Sequence, residues 1–141
     1  MKITVDVLTA DDFAEVYTLW KQEGLFVDSY ESEQKEYLLI VSLNRNTCIC
    51  LKDSNGRILG TSLGTFNGAW GWVCRVAVNN SYQSKGYGRV LIQETEKRLK
   101  KCGASKILLS VNCNNTTVIP FYEKLGFKEK ESSVFMYKTL V

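Results

Sequence analysis

Apolar and polar positions in the first 43 residues predict one strand followed by two helices. Apolar and polar residues alternate over residues 3–7, which is the period of a strand with one buried face. Thr9 then precedes residues 10–23, in which apolar side chains recur at helical spacing. Gly24 is a typical helix terminator, and a second helical period follows over residues 31–43.

The remainder of the chain alternates strands and helices and predicts a mixed α/β fold. An Asn-Gly pair at positions 55–56 is typical of the turn between two hairpin strands. The predicted elements are strands over residues 47–51, 58–66 and 72–78, a helix over 86–102, a strand over 107–111, a short helix over 118–125, and strands from Phe127 onward and over 134–140. The order is β-α-α-β-β-β-α-β-α-β-β, and the length suits a single domain over residues 1–141.

Composition and charge narrow the classes of function. The chain is 45% apolar and 23% charged, as globular proteins are, and its formal net charge is +3. Because this charge is small and no run of five like charges occurs, we expect no nucleic acid partner. The chain shows no signal-peptide pattern and no apolar window of about 18 residues, so we expect a cytoplasmic protein with no membrane contact.

The cysteine and histidine content argues against a metal site. The chain has no histidine and no Cys-x-x-Cys pair, so the usual zinc ligand spacings are missing and we expect no metal cofactor. We interpret the cysteines as reduced, mostly buried packing residues, with two that share one strand face. They are Cys48, Cys50, Cys74, Cys102 and Cys113.

The segment with the most chemical information is the glycine-containing loop that leads into the helix at 86–102. An apolar strand ends, a polar loop follows, and Gly86 and Gly88 open an amphipathic helix. Backbone N–H groups at a helix start have no helical partner and, with the helix dipole, bind anions. Lys85 and Arg89 can add charge-assisted contacts. The pattern predicts a phosphate site, although a loop that merely reverses the chain explains the glycines equally well.

Two stretches of the C-terminal half resemble a known family. Residues 83–88, Gln-Ser-Lys-Gly-Tyr-Gly, resemble the Gln/Arg-x-x-Gly-x-Gly/Ala signature of the GNAT superfamily of acetyl-CoA-dependent N-acetyltransferases. Residues 115–127 are similar to its Asn-x-x-Ala-x-x-Phe-Tyr-x-Lys-x-Gly-Phe segment. The resemblance implies a central, mostly antiparallel sheet flanked by helices. It also implies that acetyl-CoA, as co-substrate, gives its acetyl group to a primary amine of a small molecule or protein N-terminus, by direct attack through a tetrahedral intermediate.

The resemblance also implies a role for each matching residue. Tyr122 corresponds to the tyrosine that protonates the departing thiolate, although a core aromatic beside Phe121 would look the same in sequence. The backbone of Val76 and Val78 corresponds to the strand that pairs with the pantetheine arm, the Val76 amide to the oxyanion donor, and Asn115 to a further pantetheine contact. The residues implied to hold the pyrophosphate are Gln83, Ser84, Lys85, Gly86, Tyr87, Gly88 and Arg89.

The general base is where this sequence departs from the family. Many members carry a glutamate two residues before the position of Val76, and this chain has Cys74 there. The acids that could substitute are Glu23, Asp28, Glu31, Glu33 and Glu36. A weak base favours an amine of low pKa, such as an α-amine. The departure also keeps open an acetyl-CoA-binding module or sensor with weak catalysis.

The sequence leaves the amine unidentified, and it is compatible with a monomer or a homodimer. Aromatic side chains could line the acceptor side, although Trp20 and Trp72 are better explained as core residues. These aromatics are Trp20, Phe26, Tyr30, Trp70 and Trp72.

Overall fold

A computed structural model of the protein describes residues 2–140, which divide into two compact units, residues 2–110 and 111–140. The first unit contains β1 (Thr4–Val7), α1 (Phe13–Gln22), α2 (Tyr30–Leu43), β2 (Cys48–Lys52), β3 (Ile58–Phe66), β4 (Gly71–Val78), α3 (Tyr87–Cys102) and β5 (Ile107–Leu109). The second unit contains α4 (Ile119–Lys124). The single domain over residues 1–141 stays a prediction.

The five strands form one sheet in the order β1-β2-β3-β4-β5. The first three pairs are antiparallel, and β5 lies parallel to β4 because α3 carries the chain back across the sheet. The prediction of a mixed α/β fold with a mostly antiparallel sheet is therefore confirmed. Within residues 2–140, no helix is long and apolar enough to cross a membrane.

The two faces of the sheet support two hydrophobic clusters. Along β2, Cys48 and Cys50 contribute to a cluster with α1 and α2, whereas Ile49 and Leu51 contribute to a cluster with Leu91 of α3. This alternation follows from the two-residue period of a strand. The helices α1 and α2 thus cover one face of the sheet and α3 covers the other.

The prediction that the cysteines are mostly buried is only partly right. Cys48 and Cys50 are fully buried and share a face as predicted, and burial raises the pKa of each thiol to about 12. Cys74, Cys102 and Cys113 are exposed. A cysteine side chain is small and apolar enough to be buried, but these properties do not force it to be buried.

The two strands predicted at the C-terminal end are wrong. No strand follows β5 in the described part of the chain, and Phe127 instead lies in the turn that ends α4, where its N–H donates to the carbonyl of Tyr122 at 3.1 Å. Beyond it, Val134 and Met136 are each 86% exposed. An alternating pattern indicates a face that can be buried, but a strand also requires a partner for its backbone, which the local sequence does not specify.

Candidate functional site

The sheet opens between β4 and β5. Only Gly71–Val73 of β4 pair with β5, because β5 ends at Leu109, yet β4 continues to Val78. From Cys74 onward, this edge of β4 has no strand neighbour within residues 2–110. An extended ligand could therefore pair with this edge as an additional strand would.

A β-bulge interrupts β4 at this opening. Thr61 pairs with Ala77 and Leu63 with Cys74, so two residues of β4, Arg75 and Val76, oppose one residue of β3. Arg75 has a φ of 52°, in the left-handed region that residues other than glycine rarely adopt. Nothing in the local sequence predicted this bulge.

The bulge sets the direction of the backbone groups that follow it. The N–H of Asn79 donates to the carbonyl of Leu59 on β3 at 2.8 Å. Because backbone groups alternate between the two edges of a strand, those of Val78 point to the opposite, open edge. The carbonyl of Val78 accepts a hydrogen bond there from Nε2 of Gln83 at 2.9 Å. Val76 lies in the bulge, two residues before Val78, and its predicted role stays a prediction.

A buried hydrogen-bond relay holds the bulge in place. The indole Nε1 of Trp20 donates to Oγ1 of Thr61 at 2.9 Å, and that hydroxyl donates to the carbonyl of Arg75 at 2.7 Å. Trp20 and Thr61 are both fully buried. Since an unpaired buried donor costs roughly 1–3 kcal/mol, the relay favours one arrangement of α1 against the bulge.

The predicted phosphate turn is an open loop before α3. A single turn of 3-10 helix, Asn80–Tyr82, is capped by the side chain of Asn79, and the chain then turns through left-handed residues at Ser84 and Gly86. The φ of Gly86 is 86°, and a Cβ placed there would meet no atom within 4 Å. The glycine therefore leaves free space beside the main chain at the helix start.

The first turn of α3 presents unpaired donors to this space. The first helical bond runs from the N–H of Val90 to the carbonyl of Gly86 at 3.1 Å, so the N–H groups of Tyr87, Gly88 and Arg89 precede the helical ladder. No side chain caps the helix, and its first turn contains no acid. These features fit a bound phosphate, because an anion would satisfy the donors and complement a helix dipole of roughly half a positive charge.

Gln83, the first residue of the signature, contacts the protein itself. Its Nε2 donates to the carbonyl of Val78 and, at 3.0 Å, to Oε1 of Glu23. The other carboxylate oxygen of Glu23 accepts from the N–H of Asn80 at 2.9 Å. The end of α1 therefore holds the phosphate turn in place, and the Gln83 side chain stabilises the loop. Direct contact of Gln83 with acetyl-CoA stays a prediction.

The remaining predicted site residues, Asn115 and Tyr122, belong to the C-terminal unit. Asn115 is exposed at a kink within the 3-10 turn Cys113–Val118. Tyr122 is half-buried on α4, with ring centroids 5.1 Å from Phe121 and 5.8 Å from Phe127. Burial raises the pKa of the Tyr122 phenol, so the group keeps its proton at neutral pH and could donate it.

The position usually held by a base contains a thiol. Cys74 precedes the bulge on the face that α1 and α2 cover, and it pairs with Leu63 of that core. Solvent reaches the residue, yet the surrounding protein raises the pKa of its thiol by desolvation, so Cys74 is protonated at neutral pH. No cluster of three or more His, Cys, Asp or Glu side chains suited to a metal ion occurs among residues 2–140.

Three of the acids considered as substitutes are engaged in hydrogen bonds. Glu23 binds the phosphate turn, and Asp28 accepts from the N–H of Ser29 at 2.9 Å. Glu33 is 5% exposed and pairs with Arg75. Glu31 and Glu36 are exposed on α2. Of the five acids, three are therefore already hydrogen-bonded within the protein and two are exposed on α2.

The candidate acceptor aromatics have different surroundings. Trp20 belongs to the core, and Tyr30 packs against Phe13 with ring centroids 4.9 Å apart. The Trp70 ring lies 4.1 Å below the Nζ of Lys106. Phe26 is 86% exposed in the connector between α1 and α2, and is free to contact a ligand.

These features define a class of protein, an α/β domain with an uncapped helix start beside an open, bulged strand. The chain matches the family model of the acetyltransferase (GNAT) family over residues 11–127, and it belongs to this family. It is 30% identical to an acetyltransferase of Sodalis glossinidius over 138 residues, which span 97% of this chain and 95% of that protein.

Solved structures share the fold. Ard1 from Thermoplasma volcanium superposes with a TM-score of 0.80 at 18% identity, covering 91% of this chain and 84% of that chain. The ribosomal-protein-S18-alanine N-acetyltransferase from Escherichia coli superposes with a TM-score of 0.76 at 24% identity, covering 92% of this chain and 79% of that chain. These likenesses confirm the predicted fold class.

The relay at Thr61 yields a stability prediction. Thr61→Val leaves the buried indole N–H and the Arg75 carbonyl without their partner, and we expect it to lower the free energy of unfolding by roughly 1–3 kcal/mol. Thr61→Ser keeps the hydroxyl and is the matched control, expected to cost less than half as much. Urea denaturation measures both. A Thr61→Val variant as stable as wild type would show that the relay does not contribute to stability.

Proposed function

We propose that this acyltransferase moves the acetyl group of acetyl-CoA to a primary amine. The observation that carries the proposal is one juxtaposition in the N-terminal unit. The uncapped N–H groups of α3 and the open, bulged edge of β4 lie at the two ends of one loop, residues 79–86. A ligand with a pyrophosphate at one end and an extended, hydrogen-bonding arm at the other has the chemistry to use both.

Each part of the site has a physical role in this proposal. Acetyl-CoA supplies the thioester. The amides of Gly86, Tyr87, Gly88 and the neighbouring turn residues hold the pyrophosphate. The exposed side chains of Lys85 and Arg89 add positive charge. The Val76 N–H, which lies in the bulge of β4, is the proposed donor to the oxygen on which negative charge develops. Such a donor contributes roughly 3 kcal/mol in a dry site.

Tyr122 is the proposed proton donor to the departing sulfur. A thiolate has a pKa of about 8.5, so it leaves more readily when a proton arrives as the bond breaks. The raised pKa of Tyr122 supports this role, because a phenol that titrates above its usual 10 is protonated at every physiological pH. In the same unit, Asn115 is exposed and is proposed to contact the pantetheine arm.

The absence of a carboxylate at Cys74 favours an acceptor that loses its proton easily. Deprotonating a lysine-like amine of pKa about 10.4 at pH 7 costs roughly 4–5 kcal/mol, whereas an α-amine near pKa 8 costs about 1 kcal/mol. We therefore propose an α-amine or another amine of low pKa as acceptor. The same observation supports the second candidate, a module that binds acetyl-CoA but turns it over slowly.

The phosphate turn is tested by the change in Tm on adding acetyl-CoA, coenzyme A or 3′-dephospho-coenzyme A. At about 100 times Kd, a ligand adds about 2.7 kcal/mol, or roughly 5–10 °C in Tm for a domain of this size. We expect Gly86→Trp to abolish the shift, because the indole fills the space that the phosphate needs.

The chain offers a matched control for the glycine variant. Gly56 lies in the β2–β3 turn with a φ of 81° and nothing within 4 Å of an added Cβ, so Gly56→Trp imposes the same backbone strain elsewhere. A normal shift in Gly56→Trp with none in Gly86→Trp supports the site. Equal shifts in wild type and Gly86→Trp would contradict it.

The acceptor prediction is tested with two short peptides. Ala-Gly-Tyr-Gly amide presents an α-amine, and N-acetyl-Lys-Gly-Tyr-Gly amide presents only an ε-amine. At pH 7 we expect kcat/KM for the α-amine to be roughly 10²-fold higher, from the pKa difference. Thiol release measures both. As pH rises, the α-amine rate should level off near pH 8 while the ε-amine rate continues to rise. A faster ε-amine reaction at pH 7 would refute the α-amine preference.

The proton donor is tested by Tyr122→Phe. We expect kcat to fall by roughly 10²-fold or more, with an unchanged acetyl-CoA shift in Tm, because the ring stays and only the proton is lost. Tyr137→Phe is the control, since Tyr137 is 85% exposed in the same unit. In wild type, the raised pKa of Tyr122 predicts that any loss of kcat from its ionisation begins at a higher pH than for an ordinary tyrosine. A full kcat in Tyr122→Phe would assign the residue to packing.

A further inference from the structure

One side chain connects the bulge of β4 to the segment between α1 and α2. The guanidinium of Arg75 donates from Nη1 to the carbonyl of Phe26 at 3.0 Å and from Nη2 to Oε1 of Glu33 at 2.6 Å. Its carbon Cζ lies 5.4 Å from the centroid of the Trp20 ring. Three elements, α1, the connector of residues 24–29 and α2, therefore contact the same guanidinium.

Glu33 makes this contact specific. It is 5% exposed in the first turn of α2, and the carboxylate oxygen that binds Arg75 also accepts from the N–H of Asp28 at 2.9 Å. Removing one partner of a buried ion pair leaves an uncompensated charge, which is far more costly than the pair itself. Arg75 and Glu33 together thus hold the connector at two points, Phe26 and Asp28.

The backbone of Arg75 is part of the bulge itself. The left-handed φ at this residue and the hydrogen bond from Thr61 to its carbonyl determine how the chain enters Val76. The same residue therefore fixes the backbone next to the proposed oxyanion donor and, through its side chain, the distance from there to Phe26. That distance limits the size of any group that approaches Val76 along the connector.

We propose that Arg75 is a positioning residue for the acceptor amine, acting through the connector of residues 24–29. This inference rests on the proposed function, because it takes Val76 as the place where the acyl group is held. The exposed Phe26 ring then forms a wall of the approach to the acyl group. Acetyl-CoA depends on the backbone of β4 and α3, which the guanidinium does not contact, so its binding is independent of the Arg75 side chain.

The geometry also predicts which substitutions are tolerated. A guanidinium is a planar fork that serves two acceptors at once, whereas a lysine ammonium is a single, compact charge. Arg75→Lys therefore keeps the pair with Glu33 but not the contact with Phe26 as well. Arg75→Gln removes the charge. Both variants have a Cβ, so the strain of the left-handed φ is the same as in wild type.

The test measures KM and kcat for the best amine of the peptide pair, together with the acetyl-CoA shift in Tm. We expect Arg75→Gln to raise KM for the amine by roughly tenfold, with kcat changed less and the acetyl-CoA shift preserved. Arg75→Lys should restore part of the loss. Hydrogen exchange in a peptide covering residues 24–33 should be faster in Arg75→Gln, because the connector is no longer held.

Arg98 provides the matched control. Its guanidinium also binds a carboxylate, Glu94 at 3.0 Å, and a carbonyl, that of Asn46 at 3.0 Å, but it touches neither β4 nor the connector. Arg98→Gln should leave KM and the exchange of residues 24–33 unchanged. Adding Glu33→Gln to Arg75→Gln should cost less than the sum of the two single effects, since the uncompensated charge is removed.

The outcomes distinguish a failure of the Arg75 positioning role from a failure of the proposed acetyl transfer. If wild type turns over an amine and KM is unchanged in Arg75→Gln, the positioning role is wrong and the transferase stands. If Tm, kcat and the acetyl-CoA shift fall together while KM is constant, the residue is merely structural, and the inference is again overturned. If wild type binds acetyl-CoA but releases no thiol with any amine, both proposals fail.

Discussion

The backbone N–H and C=O groups of a buried strand need hydrogen-bond partners. On one side of β4 these partners come from β5, and β4 is longer than β5. β5 pairs with Gly71–Val73 and ends, while β4 continues to Val78. The protein satisfies part of this edge with the side chain of Gln83, which donates to the Val78 carbonyl. The rest of this edge is suited to an extended ligand. The phosphate turn, the bulge and the connector all lie around it.

The segments around this edge are held by long-range polar contacts. Glu23 connects the end of α1 to the phosphate turn, and Arg75 connects the bulge to the connector and to Glu33. Both contacts join residues that are more than 40 positions apart in sequence. Charged groups are expensive to bury without partners, so these contacts favour one arrangement of the loops over others of similar packing.

Most of the N-terminal fold and part of the site could be predicted from residues alone. The helical period, the Asn-Gly turn and the glycines at 86 and 88 place α1, α2, β2, β3 and α3 within a few residues of their observed bounds. The errors lie where a pattern depends on a partner. Residues 134–140 begin with four apolar residues, but no described strand pairs with them. Cys74 is exposed, although a small apolar side chain on a strand is usually buried.

The sequence by itself determined the order of the elements from β1 to α4, the glycine-containing loop before α3 and the family, because these depend on period, glycine position and short motifs. Only the tertiary structure decided the bulge at Arg75, the relay through Thr61 and Trp20, and the engagement of Gln83 and Glu33. The physical reason is that each of these depends on a hydrogen bond or an ion pair between distant residues. Such a bond forms only after α1, β3 and β4 have packed, and no local pattern of apolar and polar positions encodes it.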